Sequence, residues 1–546
     1  MNFPRYIRTL RHLRLSQMIG QVRVRLAQRF MDPSVVKSRE WRLDDRKLLL
    51  NLSAPVPAQD ARALVTGRFE FVGEQVDSGS SPDWEAAGQS RLWKYNLHYF
   101  DWLWSLLDAA DDYWGNAKDL TLDWIERHPP TKGACGWEPY PTSLRLMNWC
   151  LLYGWKHQEK LAEDPIFRDT LLDSISHQVA WLERNLETHI QANHLLENLC
   201  ALMCVSSVLK GPDCTRLQNR YGPKLAREIQ EQILPDGMHY ERSPMYHLRV
   251  MWLMEMINEV GDPYIHALVE VPLNRAKMAV ASLRHPDGDI AQFNDSALGI
   301  YNDSWQIESS IGSWSLPDAG YFGIRSAEKD YLIIDAGAIG PDHQPGHAHA
   351  DLLSFELSLA GQRVITDTGI GTYEIGSQRS YDRSTAAHST VEVAGENSVE
   401  VWSGFRVGRR VIPKILRWEP RGDECLLEVE HHGYHHLQSK AIHRRAFQWV
   451  TGKLIISDEV TIKKPVEVIG RIHLDPKVIA KLEGKKVSCV ISKIGFTLEV
   501  TGPGELSLEE RPVFTHFGKE NKRQVVIIRT TASPPILNWT WRLTRG

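Results

Sequence analysis

Histidine and aspartate side chains alternate at the start of the stretch GHAHADLLSFELSL, residues 346–359. His347, His349 and Asp351 lie two residues apart, and apolar residues then alternate with polar ones. Because alternate residues of a strand point to the same face, a strand that began this early would place both histidines side by side. Imidazole and carboxylate groups in such an arrangement are typical zinc ligands. The pattern therefore predicts either a metal site or a surface pair of histidines.

Two later residues are predicted to join this group. A turn at residues 360–362 would return the chain as a hairpin and bring Asp367 back toward the histidines, and His388 precedes another short strand pattern. Three nitrogen or oxygen ligands with one open position are the usual composition of a zinc site. The alternatives are a turn position for Asp367 and a hydrogen-bonded core position for His388.

Polar side chains also cluster in the helical part of the sequence. In QANHLLENL, a helix places Asn193 and Glu197 on one face and His194 on the neighbouring stripe. Burying polar groups in an otherwise apolar helix costs free energy unless they are hydrogen-bonded. We therefore expect either hydrogen bonds between helices or the polar wall of a pocket.

Two further clusters contain groups that suit acid–base chemistry or carboxylate binding. In PDGMHYERSPMYH, Ser243 followed by proline predicts a helix N-cap, which places Tyr246 in the first turn and Tyr240 before it. A tyrosine can transfer a proton when its surroundings adjust its pKa, and packing is its alternative role. Arg145 lies among aromatic residues, where it could bind a carboxylate in a bidentate manner or bridge two helices.

The composition is that of an ordinary globular protein. The 546 residues predict two or three domains, and the net charge of -4 gives no indication of a nucleic-acid partner. Seven cysteines without a CxxC pair fit a reducing compartment better than a disulfide framework. Because neither a membrane-spanning stretch nor the apolar core of a signal peptide is evident, we expect a cytoplasmic location, with the periplasm as the alternative.

The first 30 residues form a basic amphipathic pattern. Such a helix could lie on an anionic membrane surface, here the inner membrane, contact an acidic polymer, or pack on the protein with its arginines solvated. The arginines are Arg5, Arg8, Arg11, Arg14, Arg23, Arg25 and Arg29.

The order of the periodic patterns predicts a helical part followed by a β part. After the N-terminal segment the chain is expected to be irregular as far as about residue 93, including a loop at residues 77–82. Helical periodicity and short connections then predict antiparallel helical hairpins. The predicted helices are 97–113, 142–158, 166–186, 193–210, 216–233, 244–259 and 264–284. Beyond about residue 310, short alternating runs separated by turns predict a β-sandwich or stacked sheets.

Several of these motifs together resemble the heparinase II/III-like proteins, which are relatives of polysaccharide lyases. The matching pieces are NHLLEN (193–198), DGMHYERSPMYH (236–247), GHAHADLLSFEL (346–357), DTG (367–369) and RSTAAHSTVEV (383–393). The resemblance implies an α+β multidomain fold, with an N-terminal (α/α) toroid followed by a C-terminal antiparallel β-sandwich. The expected domains are a basic helix and linker at 1–90, the toroid at 91–305 and the β-sheet domain at 306–546.

The resemblance also implies roles for individual residues. Asn193 would neutralise the substrate carboxylate, Tyr246 would protonate the leaving oxygen, and His347 would be the partner base. The implied metal, zinc, would order the site and be held by His349, Asp367 and His388. Substrate contacts are expected from His194, Glu197, Tyr240, Arg145 and Tyr373.

The function that follows is β-elimination on a uronate-containing acidic polysaccharide, linked to bacterial exopolysaccharide or cell-surface glycan metabolism. Stabilising the enolate-like intermediate requires donors aimed at the carboxylate, together with a positioned acid and base. A metal-dependent glycan hydrolase and a catalytically silent glycan-binding protein remain alternatives. The expected partner is the acidic polysaccharide, with no nucleic acid; membrane contact through residues 1–30 and a homodimer are further expectations.

Overall fold

The computed structural model describes residues 3–30, 40–44, 51–79, 82–131, 133–261, 263–303, 305 and 307–546, without the side chains of residues 27–30. The side chain of Arg29 and part of the predicted loop at 77–82 thus lie outside the described residues. Within the described ranges, no helix combines the length and the apolar character needed to cross a membrane.

Helices occupy most of the first 283 residues. They are α1 Phe3–Leu10, α2 Leu15–Phe30, α3 Ala61–Val65, α4 Arg91–Tyr99, α5 Leu103–Leu107, α6 Trp114–Arg127, α7 Pro139–Trp149, α8 Gln158–Glu163, α9 Pro165–Arg184, α10 Ala192–Val208, α11 Cys214–Gln232, α12 Pro244–Val260, α13 Pro263–Leu283 and α14 Ser377–Asp382. A π-helical segment, Cys150–Lys156, continues α7.

Strands dominate the remainder. They are β1 Arg42–Leu43, β2 Arg68–Phe71, β3 Glu74–Asp77, β4 Leu209–Lys210, β5 Gly312–Leu316, β6 Tyr321–Arg325, β7 Tyr331–Asp335, β8 Phe355–Leu359, β9 Gln362–Ile365, β10 Val391–Val393, β11 Val401–Trp402, β12 Arg406–Val407, β13 Lys414–Arg421, β14 Glu424–His431, β15 Ile442–Val450, β16 Lys453–Thr461, β17 Val466–His473, β18 Ile479–Glu483, β19 Lys486–Ile491, β20 Ile494–Thr501, β21 Glu505–His516, β22 Lys519–Ala532 and β23 Ile536–Arg545.

Contacts divide the chain into two units that are interleaved in sequence. The helical unit comprises Leu13–Gln232 and Arg249–Asn274. The β unit comprises Met1–His12, Ile233–Leu248 and Arg275–Gly546. This division differs from the three continuous domains expected from sequence, because α12 and α13 each contribute residues to both units. The segment that contains Tyr246 therefore belongs to the β unit.

The helical unit is built around helices that are apolar on most sides. Of the residues in α10, only His194 is not buried, which is expected for a helix without a polar face. The expected helix at 97–113 is wrong, since α4 ends at Tyr99 and Phe100 adopts a left-handed conformation with φ 62°. The Phe100 ring stacks on Trp84 with centroids 5.7 Å apart. Burial of that ring thus ends the helix where local periodicity would continue it.

Antiparallel sheets form the β unit. An eight-stranded sheet has the order β13-β14-β15-β16-β23-β20-β19-β18, a four-stranded sheet has the order β10-β17-β22-β21, and β5 to β9 form a five-stranded meander. Inward-facing residues, such as Phe447 and Trp449 in β15, alternate with outward-facing ones. The three sheets contribute to one hydrophobic core.

The histidine-rich stretch enters this unit just before β8. A two-residue turn at Ala360 and Gly361, both with positive φ, joins β8 to β9, as is typical of a tight hairpin. This hairpin returns the chain to Asp367, as predicted. The expectation that His347 and His349 alternate on a strand is wrong, because β8 begins only at Phe355. Turns and irregular backbone precede it.

Candidate functional site

A buried carboxylate, Asp295, holds the two histidines of the GHAHAD stretch. Its Oδ2 lies 2.8 Å from Nδ1 of His347, and its Oδ1 lies 2.8 Å from Nε2 of His349. Arg379 of α14 donates to both oxygens. Burial alone would raise the pKa of Asp295, but Arg379 and the two histidines hold it well below its usual range. Asp295 is therefore an anion that orients both imidazole rings.

The bond to Asp295 determines which nitrogen of His347 can act as a base. An anionic acceptor at Nδ1 favours the tautomer that carries its proton there, which leaves a lone pair on Nε2. Nε2 has no hydrogen-bond partner among the residues that the structure describes, and the side chain is 11 % exposed. His347 thus presents a reachable basic nitrogen held in one orientation.

Two tyrosines lie beside this histidine. The ring of Tyr246 stacks on the ring of His347, with centroids 3.9 Å apart and an interplanar angle of 27°. The hydroxyl of Tyr246 hydrogen-bonds that of Tyr373 at 2.9 Å. Burial raises the pKa of both phenols well above the usual value, so both are protonated at neutral pH. Ser243 accepts a hydrogen bond from the backbone N–H of Tyr246, which confirms the predicted N-cap.

The predicted metal ligands also come together. His349, Asp367 and His388 are buried, and one potential ligand atom from each lies within 4.8 Å of the others. Nδ1 of His349 and Nε2 of His388 have no hydrogen-bond partner although both atoms are buried. Such orphaned nitrogens are costly unless a ligand satisfies them. The residues therefore fit a divalent cation such as zinc.

Neighbouring residues fix the orientation of these ligands. His349 donates through Nε2 to Asp295, as metal-bound histidines commonly do to a carboxylate. Burial lowers the pKa of His349 to about 4, so its ring is neutral and able to bind a cation. Glu356 accepts the backbone N–H of Asp367 at 2.8 Å. His388 hydrogen-bonds Oδ2 of Asp367 at 2.8 Å.

The residues predicted from NHLLENL lie in the helical unit. Asn193 is in the first turn of α10 and is only 3 % exposed. His194 is partly exposed and contacts Glu187 through Nδ1 at 3.0 Å. The residues before Asn193, Gln191 and Ala192, both have positive φ. Such strained backbone is frequent where a side chain must be held for function.

Two residues predicted as substrate contacts, Glu197 and Arg145, are bonded within the helical unit, and their contact with substrate stays a prediction. Glu197 is fully buried and forms a bidentate ion pair with Arg249, at 2.6 and 2.9 Å. Arg145 is also fully buried, with Nε donating to Gln178 and the other nitrogens to backbone carbonyls. Its guanidinium lies 3.9 Å from the ring centroid of Trp124. Both charged groups thus form contacts between helices, which is the alternative role that the sequence allows for each.

Tyr240 lies in the β unit, is buried, and has its ring 5.8 Å from that of His343. Its role as a substrate contact stays a prediction. Sequence reasoning missed Asp295 and Arg379, which join elements far apart in the chain. The local indication of Asp295 in the sequence is the polar triplet Asn294-Asp295-Ser296, which lies inside an otherwise apolar stretch.

Comparison with known proteins gives the family. The family model "Heparinase II/III N-terminus" matches residues 53–313, and "Heparinase II/III-like, C-terminal" matches residues 309–540. The chain belongs to the heparinase II/III-like family. Family membership makes this protein an enzyme of the polysaccharide lyase class, as the sequence resemblance implied.

The relatives of this chain carry different names. FtsZ-localized protein C of Caulobacter vibrioides is 24% identical over 529 residues, which is 90% of this chain and 89% of that protein. A heparin-sulfate lyase of Pedobacter heparinus is 25% identical over 276 residues, which is 43% of this chain and 40% of the lyase. The crystal structure of heparinase III superimposes with a TM-score of 0.72 at 18% identity, over 91% of this chain and 88% of that one. The predicted fold class, a helical toroid followed by antiparallel sheets, is confirmed.

Proposed function

We propose that this heparinase II/III-like protein cleaves a uronate-containing acidic polysaccharide by β-elimination. His347 removes the proton next to the carboxylate group, and Tyr246 protonates the glycosidic oxygen as it leaves. The carbon–oxygen bond breaks as a carbon–carbon double bond forms, so no water is consumed. The observation that carries the proposal is the stacked His347–Tyr246 pair, with one basic nitrogen and one retained phenolic proton.

The geometry supports the proposed roles of base for His347 and acid for Tyr246. Nε2 of His347 has a lone pair because Nδ1 is bonded to Asp295. Tyr246 retains its proton because burial raises its pKa, which suits an acid at neutral pH. Tyr373 shares a hydrogen bond with Tyr246 and can pass a proton to it after each turnover. Tyr373, which is predicted as a substrate contact, is thus also proposed to support Tyr246 as the acid.

Asn193 is proposed to bind the substrate carboxylate through its amide. The side-chain amide of Asn193 can donate two hydrogen bonds, which suits the two oxygens of a carboxylate. Donation to the carboxylate stabilises the negative charge that develops after proton removal. His194, which is partly exposed on the same helix, is proposed to contact the sugar beside it.

The metal site supports this chemistry from a distance. His349, Asp367 and His388 would hold the ion, which when bound supplies positive charge that fixes the ligand side chains. Because all three residues are buried, the site is unsuited to presenting a water molecule to a glycan. This burial argues against the metal-dependent hydrolase alternative.

The proposal predicts a direct spectroscopic outcome. Purified protein is incubated with a panel of uronate polymers, including heparan-type, alginate-type and bacterial exopolysaccharides, and ultraviolet absorbance is recorded. Absorbance should rise as the double bond conjugated to the carboxylate forms, and Tyr246→Phe and Asn193→Ala should each abolish the rise. Tyr264→Phe, at an exposed tyrosine of the helical unit, is the matched control and should retain full activity. Reducing ends released without new absorbance would establish a hydrolase instead, and binding without either product would favour a silent glycan-binding protein.

A further inference from the structure

The first helix contacts the β unit through its polar side. Arg8 donates to Glu400 through Nε at 2.8 Å, and Arg5 donates to the other carboxylate oxygen at 3.2 Å. The ring of Tyr6 packs edge-on against Trp402, with centroids 4.9 Å apart. These contacts lie on one side of α1 and fix which side faces away from the protein.

The side that faces away is apolar. Phe3, Ile7 and Leu10 are spaced as one helical stripe, and they are 71 %, 52 % and 55 % exposed. A surface helix of a globular protein normally turns such a stripe toward the core. In α1 the arrangement is reversed, because the arginines are directed inward and the apolar side chains outward.

The second helix shows the same reversal on the helical unit. Gln17 is buried and donates to the carbonyl of Ile190. Gly20 lies so close to the unit that a Cβ atom there would be 2.9 Å from the backbone nitrogen of His189. The opposite side carries a stripe of apolar residues, each more than half exposed: Leu15, Met18, Ile19, Val22 and Leu26.

The charge of this segment indicates what covers the stripes. The first 30 residues contain seven arginines and no aspartate or glutamate. Around α1, the guanidinium of Arg406 lies 5.0 Å from the centroid of the Trp402 ring. The pKa of Arg409 is lowered by burial and also by the nearby charge of Arg8. An anionic surface is complementary to a segment that combines many arginines with exposed apolar stripes. A second copy is less suitable, because a two-fold contact would place arginines against arginines.

We propose that α1 and α2 bind the surface of an anionic lipid bilayer. The exposed apolar side chains enter the boundary between head groups and acyl chains. Arg11, just after α1, and Arg25 of α2 are exposed and contact lipid phosphates. The helices lie in the membrane surface and do not cross it. This binding is independent of the lyase chemistry, and it would account for the expected location at the inner membrane surface.

Vesicle sedimentation with the full-length protein tests the proposal. Vesicles of phosphatidylcholine containing phosphatidylglycerol should pellet the protein, whereas vesicles of phosphatidylcholine alone should pellet about tenfold less. Raising the salt concentration should weaken binding, because exposed charges are screened.

Exposed positions allow variants that leave the fold intact. Ile7→Gln with Leu10→Gln, and separately Met18→Gln with Ile19→Gln, should each lower binding to anionic vesicles about tenfold or more. The matched control is Ile412→Gln with Ile479→Gln, which removes two even more exposed apolar side chains elsewhere on the β unit and should bind as wild type.

Three outcomes would overturn the proposal. Failure of wild-type protein to bind anionic vesicles would do so at once. Undiminished binding of both stripe variants would show that charge alone, and not the apolar stripes, attaches the protein. A dimer in gel filtration that becomes monomeric in the stripe variants, without vesicle binding, would show that a second copy covers the stripes.

Discussion

Replacement of Asp295 by asparagine tests the central role of this carboxylate. Asparagine has nearly the same shape but carries no charge and offers one acceptor oxygen where aspartate offers two. His347 and His349 each donate to Asp295, so one of them must lose its acceptor. Arg379 would keep at most one hydrogen bond to residue 295, besides the one that its Nε donates to the carbonyl of Gly404, and would lose the charge that neutralises it.

The expected magnitudes follow from these contacts. A hydrogen bond to a charged group contributes about 1.5–3 kcal/mol, so loss of the bond that orients His347 should lower kcat by about 10- to 160-fold. Removal of one partner of a buried ion pair costs about 3–5 kcal/mol of folding free energy. KM should change little, because Asp295 is buried and does not reach the substrate.

A matched control separates the effect on activity from the effect on stability. Asp458 is another buried carboxylate of the β unit, bonded to His443, Arg445 and Trp541. Asp458→Asn should destabilise the protein to a similar extent and leave kcat within about twofold of wild type. Both variants are assayed by lyase turnover below their melting temperatures, with folding checked by circular dichroism. An Asp295→Asn protein that is folded and retains wild-type kcat would refute the orienting role.

The remaining predictions concern the tyrosines, the metal and helix α1. Tyr373→Phe should lower kcat about fivefold, since it removes one neutral hydrogen bond to Tyr246; unchanged kcat would exclude that support. Because burial raises the pKa of Tyr246, wild type and Tyr246→Phe should show equal tyrosinate absorbance near pH 10, where an ordinary tyrosine titrates, and a difference there would contradict this. A chelator should lower the melting temperature of wild type and leave that of His388→Ala unchanged, as loss of a bound ion removes about 3 kcal/mol at a hundredfold excess over Kd. Burial raises the pKa of Glu400, but hydrogen bonds from Arg8 and from the backbone N–H of Arg409 lower it to about 2. The stabilisation of α1 is therefore complete above the unfolded value and is lost as the pH falls toward 2. Trp402 fluorescence should follow this loss in wild type and not in Glu400→Gln.

Sequence patterns are sufficient to predict site residues where the chemistry of a residue type limits its uses. Spacing and resemblance predict His349, Asp367 and His388 as metal ligands, and the structure brings them together. Their supposed strand geometry was wrong, because the group is assembled by a hairpin and by Asp295, not by alternation along β8. Residue type was informative here, whereas local periodicity was not.

Charged residues in the helical unit show why the remainder was not predictable. Arg145 and Glu197 have the chemistry of substrate-binding groups, and nothing nearby in sequence distinguishes that use from burial. Their partners, Gln178 and Arg249, are 33 and 52 residues away. The same limit applies to Asp295, whose partner Arg379 is 84 residues distant. Only the tertiary fold determines which charged groups neutralise one another.

The position of β23 in the eight-stranded sheet sets the order in which this unit can assemble during synthesis. β13 to β16 form one ribbon and β18 to β20 form another, and β23 joins them, with Trp541 opposite Ile456 on one side and Val500 on the other. Until residues 536–545 have left the ribosome, both ribbons present an unpaired edge, which is the type of surface that pairs with other chains. The nascent protein is therefore exposed to aggregation until β23 has been synthesised. Loss of this single strand would leave two separate sheets where the folded enzyme has one.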